Sequence, residues 1–170
     1  MQKQNFTSAE TSINKSKLPA TTKKIQWELY RNKKVLDIGG GKFDNLKDFL
    51  KQNFNIDLFI YDKFNRGFKE NIKALKCNPD LIICNNVLNV IDSDEVIQHI
   101  CNMIQNYFTP FYVSVYEGNK TGYGRYTSKD SYQRNQTTKN YLKFFDNCNC
   151  VIKNNMIIRE KNSKQVLSFK

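Results

Sequence analysis

Histidine, proline and long apolar runs are all scarce in this chain. Its 170 residues include one histidine, His99, and three prolines. Five cysteines are present, Cys77, Cys84, Cys101, Cys148 and Cys150, with no Cys-x-x-Cys pair among them. Without paired thiols or a second imidazole a zinc cluster lacks its ligand set, and no metal site is expected. An odd cysteine count in an otherwise ordinary chain points to free thiols in a reducing cytoplasm. No apolar run approaches the roughly 18–20 residues that a membrane span needs. Residues 1–17 are polar and lack the apolar segment of a secretory signal, so a cytoplasmic location is expected. No internal repeat is visible.

Charge and aromatic side chains are plentiful. Hydrophobic residues make up 39% of the chain, and one Trp, nine Tyr and twelve Phe supply bulk for a packed core in one domain. The formal net charge of +11 is unevenly placed. Residues 1–34 carry eight bases against two acids, and residues 118–143 carry six against one. Residues 35–117 carry eleven acids against eight bases. Lysine spread for solubility would not segregate in this way. Basic flanks around a mildly acidic middle suit a polyanion such as nucleic acid. A solvated basic surface is the plainer alternative.

The middle is organised around residues 34–44. Val35, Leu36 and Ile38 read as a strand, broken by the consecutive glycines Gly39, Gly40 and Gly41. An amphipathic helix over 45–53 follows, with Leu46, Phe49 and Leu50 on one side. Strand, glycine turn and helix open a nucleotide-type site in doubly wound α/β sheets. The glycines let the backbone approach a ligand, and the helix start offers unpaired N–H groups. Asp37 lies at the end of the first strand. Asp62 ends the next one, 56–61, where an acid can accept from ribose hydroxyls. A helix over 68–76 leads to Leu81-Ile-Ile-Cys84, a continuous apolar run of central-strand type. That interval is short, so one strand-and-helix unit is trimmed.

Asp92-Ser-Asp-Glu95 reads as a capped start to a helix reaching about 108, with Val96, Ile97, Ile100, Met103, Ile104 and Tyr107 at helical spacing. His99, within it, reads as a surface or packing residue. A strand over 111–116, a loop over 117–132 and a helix near 137–145 follow. A terminal hairpin turns at Asn154-Asn155, and a last short strand covers 165–169. The expected architecture is a doubly wound, mostly parallel α/β sheet with helices on both faces and an antiparallel C-terminal hairpin. Residues 1–17 form a loose arm and 18–170 one domain.

Val35-Leu-Asp-Ile-Gly-Gly-Gly41 resembles the first motif of class I S-adenosylmethionine (SAM)-dependent methyltransferases, and Asp62 falls where that family has its ribose acid. Asp80-Leu-Ile-Ile-Cys-Asn-Asn-Val-Leu-Asn-Val-Ile91 is similar to the family's fourth strand and following loop. With Ser131-Tyr-Gln-Arg-Asn135 it resembles small phage and mobile-element members. The resemblance spans about 18–160. One departure is Phe43, where a further glycine is common. The resemblance implies a Rossmann-like fold with SAM as cofactor. Gly39, Gly40 and Gly41 would line it with Lys63 and Asn85, Asp37 would orient the methionine amino group, and Asp62 would hold the ribose. A leading helix would bring Thr21, Thr22 and Lys23 to the methionine carboxylate or the acceptor. The plain alternatives are a tight glycine turn and an ordinary helix start.

Methyl transfer is an in-line displacement that needs alignment and exclusion of water, so the lack of a Ser-His-Asp set excludes nothing. Asn85 and Asn86 stand where amino-methylating DNA enzymes carry an Asp/Asn-Pro-Pro-aromatic run, here without the prolines. Either side chain suits a catalytic role as acceptor of an amine hydrogen, or a cap on the next turn. Cys84 lacks a Pro-Cys context and reads as core. Residues 118–135 interleave Tyr123, Arg125, Tyr126, Tyr132, Gln133 and Arg134, which suits stacked bases and phosphates. A target base would be single-stranded or flipped out. Tyrosines folded back on the core are the alternative.

The expectation is therefore a SAM-dependent methyltransferase for a DNA or RNA base, of phage or mobile-element type, holding nucleic acid through residues 1–34 and 118–143. The rivals are a small-molecule or protein methyltransferase and a non-catalytic SAM-binding interaction module. A nicotinamide-binding fold is disfavoured because the glycines are contiguous rather than spaced.

Overall fold

The computed structural model describes residues 17–128, 130–146 and 148–160. Four apolar runs rich in Val, Ile, Leu and Phe form parallel strands: β1 (Lys34–Ile38), β2 (Asp57–Tyr61), β3 (Leu81–Asn85) and β4 (Phe111–Ser114). They are linked by α1 (Asn45–Phe54), α2 (Phe68–Leu75) and α3 (Asp94–Gln105). β5 (Arg125–Ser128) and β6 (Ser131–Gln133) pair as a separate antiparallel ribbon. β7 (Val151–Lys153) and β8 (Met156–Arg159) form a hairpin that lies antiparallel on β4. The main sheet has the order β2-β1-β3-β4-β8-β7, mostly parallel and compatible with a Rossmann-like fold. β2 leads to β3 through α2 alone, which accounts for the short interval between them.

Alternate residues divide between two cores. Leu36, Ile38, Ile82 and Cys84 join Ala74 of α2 and Ile97, Cys101 and Ile104 of α3. Val35, Leu81 and Ile83 join Leu46 and Leu50 of α1, with Ile25 and Trp27. The period-two alternation of a strand puts these sets on opposite faces of the sheet. Ser93 caps α3 by accepting from the Val96 N–H at 3.4 Å. Among the described residues seven asparagines, Asn32, Asn55, Asn78, Asn86, Asn135, Asn154 and Asn155, take the left-handed conformation at turns and element ends. Asn154 and Asn155 make the expected two-residue turn between β7 and β8.

Several elements differ from the sequence expectation. The leading helix is instead two 3-10 turns, Ala20–Lys23 and Trp27–Tyr30. Ile25 and Trp27 are both buried, and residues two apart point to opposite sides of an α-helix, so one helix could not bury both. The helix expected near 137–145 is a 3-10 helix, Thr138–Phe145. Its buried Thr138, Tyr141 and Phe144 recur every third residue, the 3-10 period. The loop expected over 117–132 contains β5 and part of β6. β5 is exposed along its whole length, which is why no apolar alternation marks it. Cys148 and Cys150 are joined as a disulfide, correcting the expectation of free thiols throughout; Cys77, Cys84 and Cys101 are free and buried. The loose arm, apart from Lys17, and the strand at 165–169 lie outside the described residues. Among those described, no helix is long and apolar enough to cross a membrane, and no group of three His, Cys, Asp or Glu could hold a metal.

Candidate functional site

β1 has β2 on one side and β3 on the other. The carboxyl ends of β1 and β3 are where open α/β sheets place ligands. Asp37 sits at that point, 3% exposed, with Oδ1 lacking any hydrogen-bond partner. Burial, and after it the nearby Asp62 charge, push its carboxyl up to about 7, against a weaker lowering pull from Arg66. A cleft of about 20 Å³ opens over Asp37 between Gly40, Phe43 and Ile60, under Lys17 and Pro19. That volume takes a group of roughly one water's size.

The glycine turn is tied into the protein itself. Gly39 has φ +75°, and a Cβ there would collide with Val87. A Cβ on Gly40 would lie 2.6 Å from Asp37 Oδ2. Gly41 is gripped on both sides: its N–H donates to Asp62 Oδ2 at 2.9 Å, and its carbonyl accepts from Arg66 Nε at 2.7 Å. The other Asp62 oxygen, Oδ1, accepts from Phe64 N, Asn65 N and Asn65 Nδ2. The expected ribose acid therefore binds its own loop, and only Oδ2 is engaged by as little as one donor. Arg66 also reaches the Phe43 carbonyl and pairs with Asp44 and Glu70. Lys63 is exposed and lies over the Phe64 ring.

The β3 end is held by a polar cluster on the same face as Asp37. Asn85 Oδ1 accepts from Thr21 Oγ1 at 2.5 Å and from Ser114 Oγ at 3.2 Å, while its Nδ2 has no partner. Thr22 is buried and its Oγ1 also lacks a partner; Lys23 is exposed. The short 3-10 turn thus delivers Thr21 to the site although no α-helix forms. Asn86 is exposed, left-handed at φ 57°, and donates its N–H to the Ser114 carbonyl. Cys84 is fully buried in the other core.

The residues expected to meet an acceptor separate into two groups. Tyr123 and Arg125 are exposed. Tyr132 packs edge-on against Tyr126, and its hydroxyl lies where a Cβ on Gly124 would fall. Gln133 and Arg134 face inward. Gln133 bonds Asn89 and the Tyr116 carbonyl. Arg134 is 8% exposed, bonded to the Ile91 carbonyl and to Asp94, which Lys143 also neutralises. Both anchor the ribbon to the loop after β3 rather than presenting polar groups to a partner. No sequence pattern separated these anchors from the exposed pair.

Glu117 makes the second anchor. Its carboxylate accepts from Thr138 N at 2.7 Å and Thr138 Oγ1 at 2.9 Å, and meets Lys120 at 2.9 Å. The Thr138 N–H first, then Lys120, hold its pKa down to about 2. A depressed carboxylate stabilises the fold above its unfolded pKa and loses that contribution as pH falls through the folded one. Glu117→Gln is expected to lower the melting temperature at pH 7, with the gap from wild type closing between about pH 4.5 and 2. A gap that stays constant over this range would assign the carboxylate no role in anchoring.

Comparison of the chain with protein-family models, with curated proteins and with solved structures finds no match.

Proposed function

We propose that this chain is a SAM-dependent methyltransferase with a doubly wound, Rossmann-like fold that modifies a nucleic-acid base in the cytoplasm. The observation that carries the proposal is a complementary pair of buried, unpartnered atoms, Asp37 Oδ1 and Asn85 Nδ2. One accepts and the other donates, at the ends of adjacent strands. The amino-acid end of SAM presents an ammonium and a carboxylate, which answer these two atoms in kind. An ammonium also suits the water-sized cleft over Asp37, and its charge would hold that carboxyl ionised. The residues fit this end of the cofactor. The nucleoside needs more room than this cleft has, so binding requires Val87 or the Lys17–Lys23 segment to move.

When bound, SAM supplies a methyl group already activated by its positive sulfur. The protein's work is then to hold, align and exclude water. Asp37 and Asn85 hold the amino-acid end beside Gly39–Gly41. Asp62 Oδ2 is the atom left to receive a ribose hydroxyl. Asn85 Oδ1 is engaged by Thr21 and Ser114, so exposed Asn86 is the better placed of the two asparagines to accept an amine hydrogen from the target base. Tyr123 and Arg125 offer a ring and a cation to the acceptor strand.

A second reading, a non-catalytic SAM-binding module, is favoured by Val87 seated against Gly39. Calorimetry with SAM, followed by label transfer to DNA and RNA pools and digestion to nucleosides, tests both. The expected result is binding with a labelled base. Binding without transfer selects the module, and no binding removes both readings.

A further inference from the structure

We infer that the loops after β1 and β2 form a platform for single-stranded nucleic acid, separate from the basic flanks. The inference deepens the nucleic-acid part of the proposed function and does not depend on the methyl donor. Three lysine–phenylalanine sequence neighbours occur in these loops and at the start of α2: Lys42 with Phe43, Lys63 with Phe64, and Lys69 with Phe68. Lys42 Nζ lies 5.2 Å from the Phe43 ring centre, and Lys63 Nζ 5.5 Å from that of Phe64. Phe64 is 45% exposed and Phe68 81%, and all three lysines are exposed. The two loops are one unit, because Arg66 bonds the Gly41 and Phe43 carbonyls and Asp62 bonds the Gly41 N–H.

Residues 35–117 carry more acids than bases, which hides this surface in the sequence. The fold disposes of the acids in these loops. Asp37 and Asp62 are buried, and Arg66 pairs with both Asp44 and Glu70, offsetting one of their two charges. No described carboxylate pairs with Lys42, Lys63 or Lys69. Outside the two buried aspartates, Lys42, Lys63, Arg66 and Lys69 outnumber Asp44 and Glu70 by four to two. Phe43 and Phe64 each carry their own cation, the pairing that a base and its phosphate present in a single strand. A lipid-seeking surface would instead separate its apolar and basic sides.

Fluorescence anisotropy with labelled oligo-dT and oligo-U at several salt concentrations tests this. The variants are Lys42→Gln/Lys63→Gln/Lys69→Gln, Phe64→Ala/Phe68→Ala and, on the ribbon, Tyr123→Ala/Arg125→Ala. Melting temperatures establish that each is folded. Both platform variants are expected to weaken binding about tenfold or more. The lysine variant should also reduce the salt slope by about two. Wild-type affinity in both platform variants overturns the inference, as does failure of wild type to bind either strand. Lysine-dependent binding to anionic vesicles, with strand binding unchanged, also overturns it. If only the ribbon variant weakens binding, the platform fails and the methyltransferase reading stands; if platform binding holds but no label transfers, the reverse is true.

Discussion

Replacing Asp37 with asparagine is expected to stabilise the protein at pH 8 while abolishing measurable SAM binding. The folded carboxyl titrates at about 7 against an ordinary value of 3.8. Between those values the folded state holds more protons than the unfolded one, so stability falls as pH rises from about 4 to 7. That shift corresponds to roughly 4 kcal/mol, fully present above pH 7. Asparagine removes the charge but adds a donor at a buried site, returning about 1–3 kcal/mol of the gain. The net expectation is a variant more stable by about 2 kcal/mol at pH 8 and no more stable than wild type at pH 4. Urea midpoints across this range give the stability difference and calorimetry gives the affinity. Parallel pH profiles for the two proteins would show that Asp37 ionises as it does in the unfolded chain. Undiminished SAM affinity would remove its carboxylate from the proposed site.

Gly39→Ala is expected to destabilise the fold by about 3 kcal/mol. The left-handed backbone costs an alanine roughly 1–2 kcal/mol, and its methyl group must displace Val87, an overpacking strain of about 1–3 kcal/mol. Val87→Ala should remove the second contribution and leave the first. A double-mutant cycle read by urea denaturation is therefore expected to show about 1–3 kcal/mol of coupling between the two positions. Zero coupling would mean that Val87 yields freely and does not seal the turn. The cycle bears on function as well, since the same valine stands against the glycine expected to face a ligand.

The parts of this protein that depend on burial were legible in its sequence. Leu81-Ile-Ile-Cys84 is apolar throughout because β3 has a core on each face, and the glycine turn and Asp37 follow directly from the end of β1. Asn45, Leu46 and Leu50 fix α1 to within a residue of its observed end. Features made by side chains bonding backbone were not legible. Asp62 occurs at the expected strand tip, yet nothing in the letters shows three loop N–H and amide donors converging on Oδ1. Arg66 precedes Glu70 by four, a visible pair, but its hold on the Gly41 carbonyl depends on a neighbouring loop 25 positions away. Arg134 reads as a phosphate contact until Asp94 and the Ile91 carbonyl are seen to enclose it. Charge counted along the chain misleads for the same reason, because it ignores which acids are buried or neutralised.

The left-handed asparagines carry a consequence for how such a chain can be encoded. Every glycine codon begins with two guanines, whereas asparagine is written AAT or AAC. Asparagine tolerates positive φ better than other residues with a side chain, through local hydrogen bonds from its amide. Among the described residues seven such positions use it, against four glycines with positive φ. A gene poor in guanine and cytosine can thus still specify sharp corners, drawing on the amide side chain where a richer gene would write glycine.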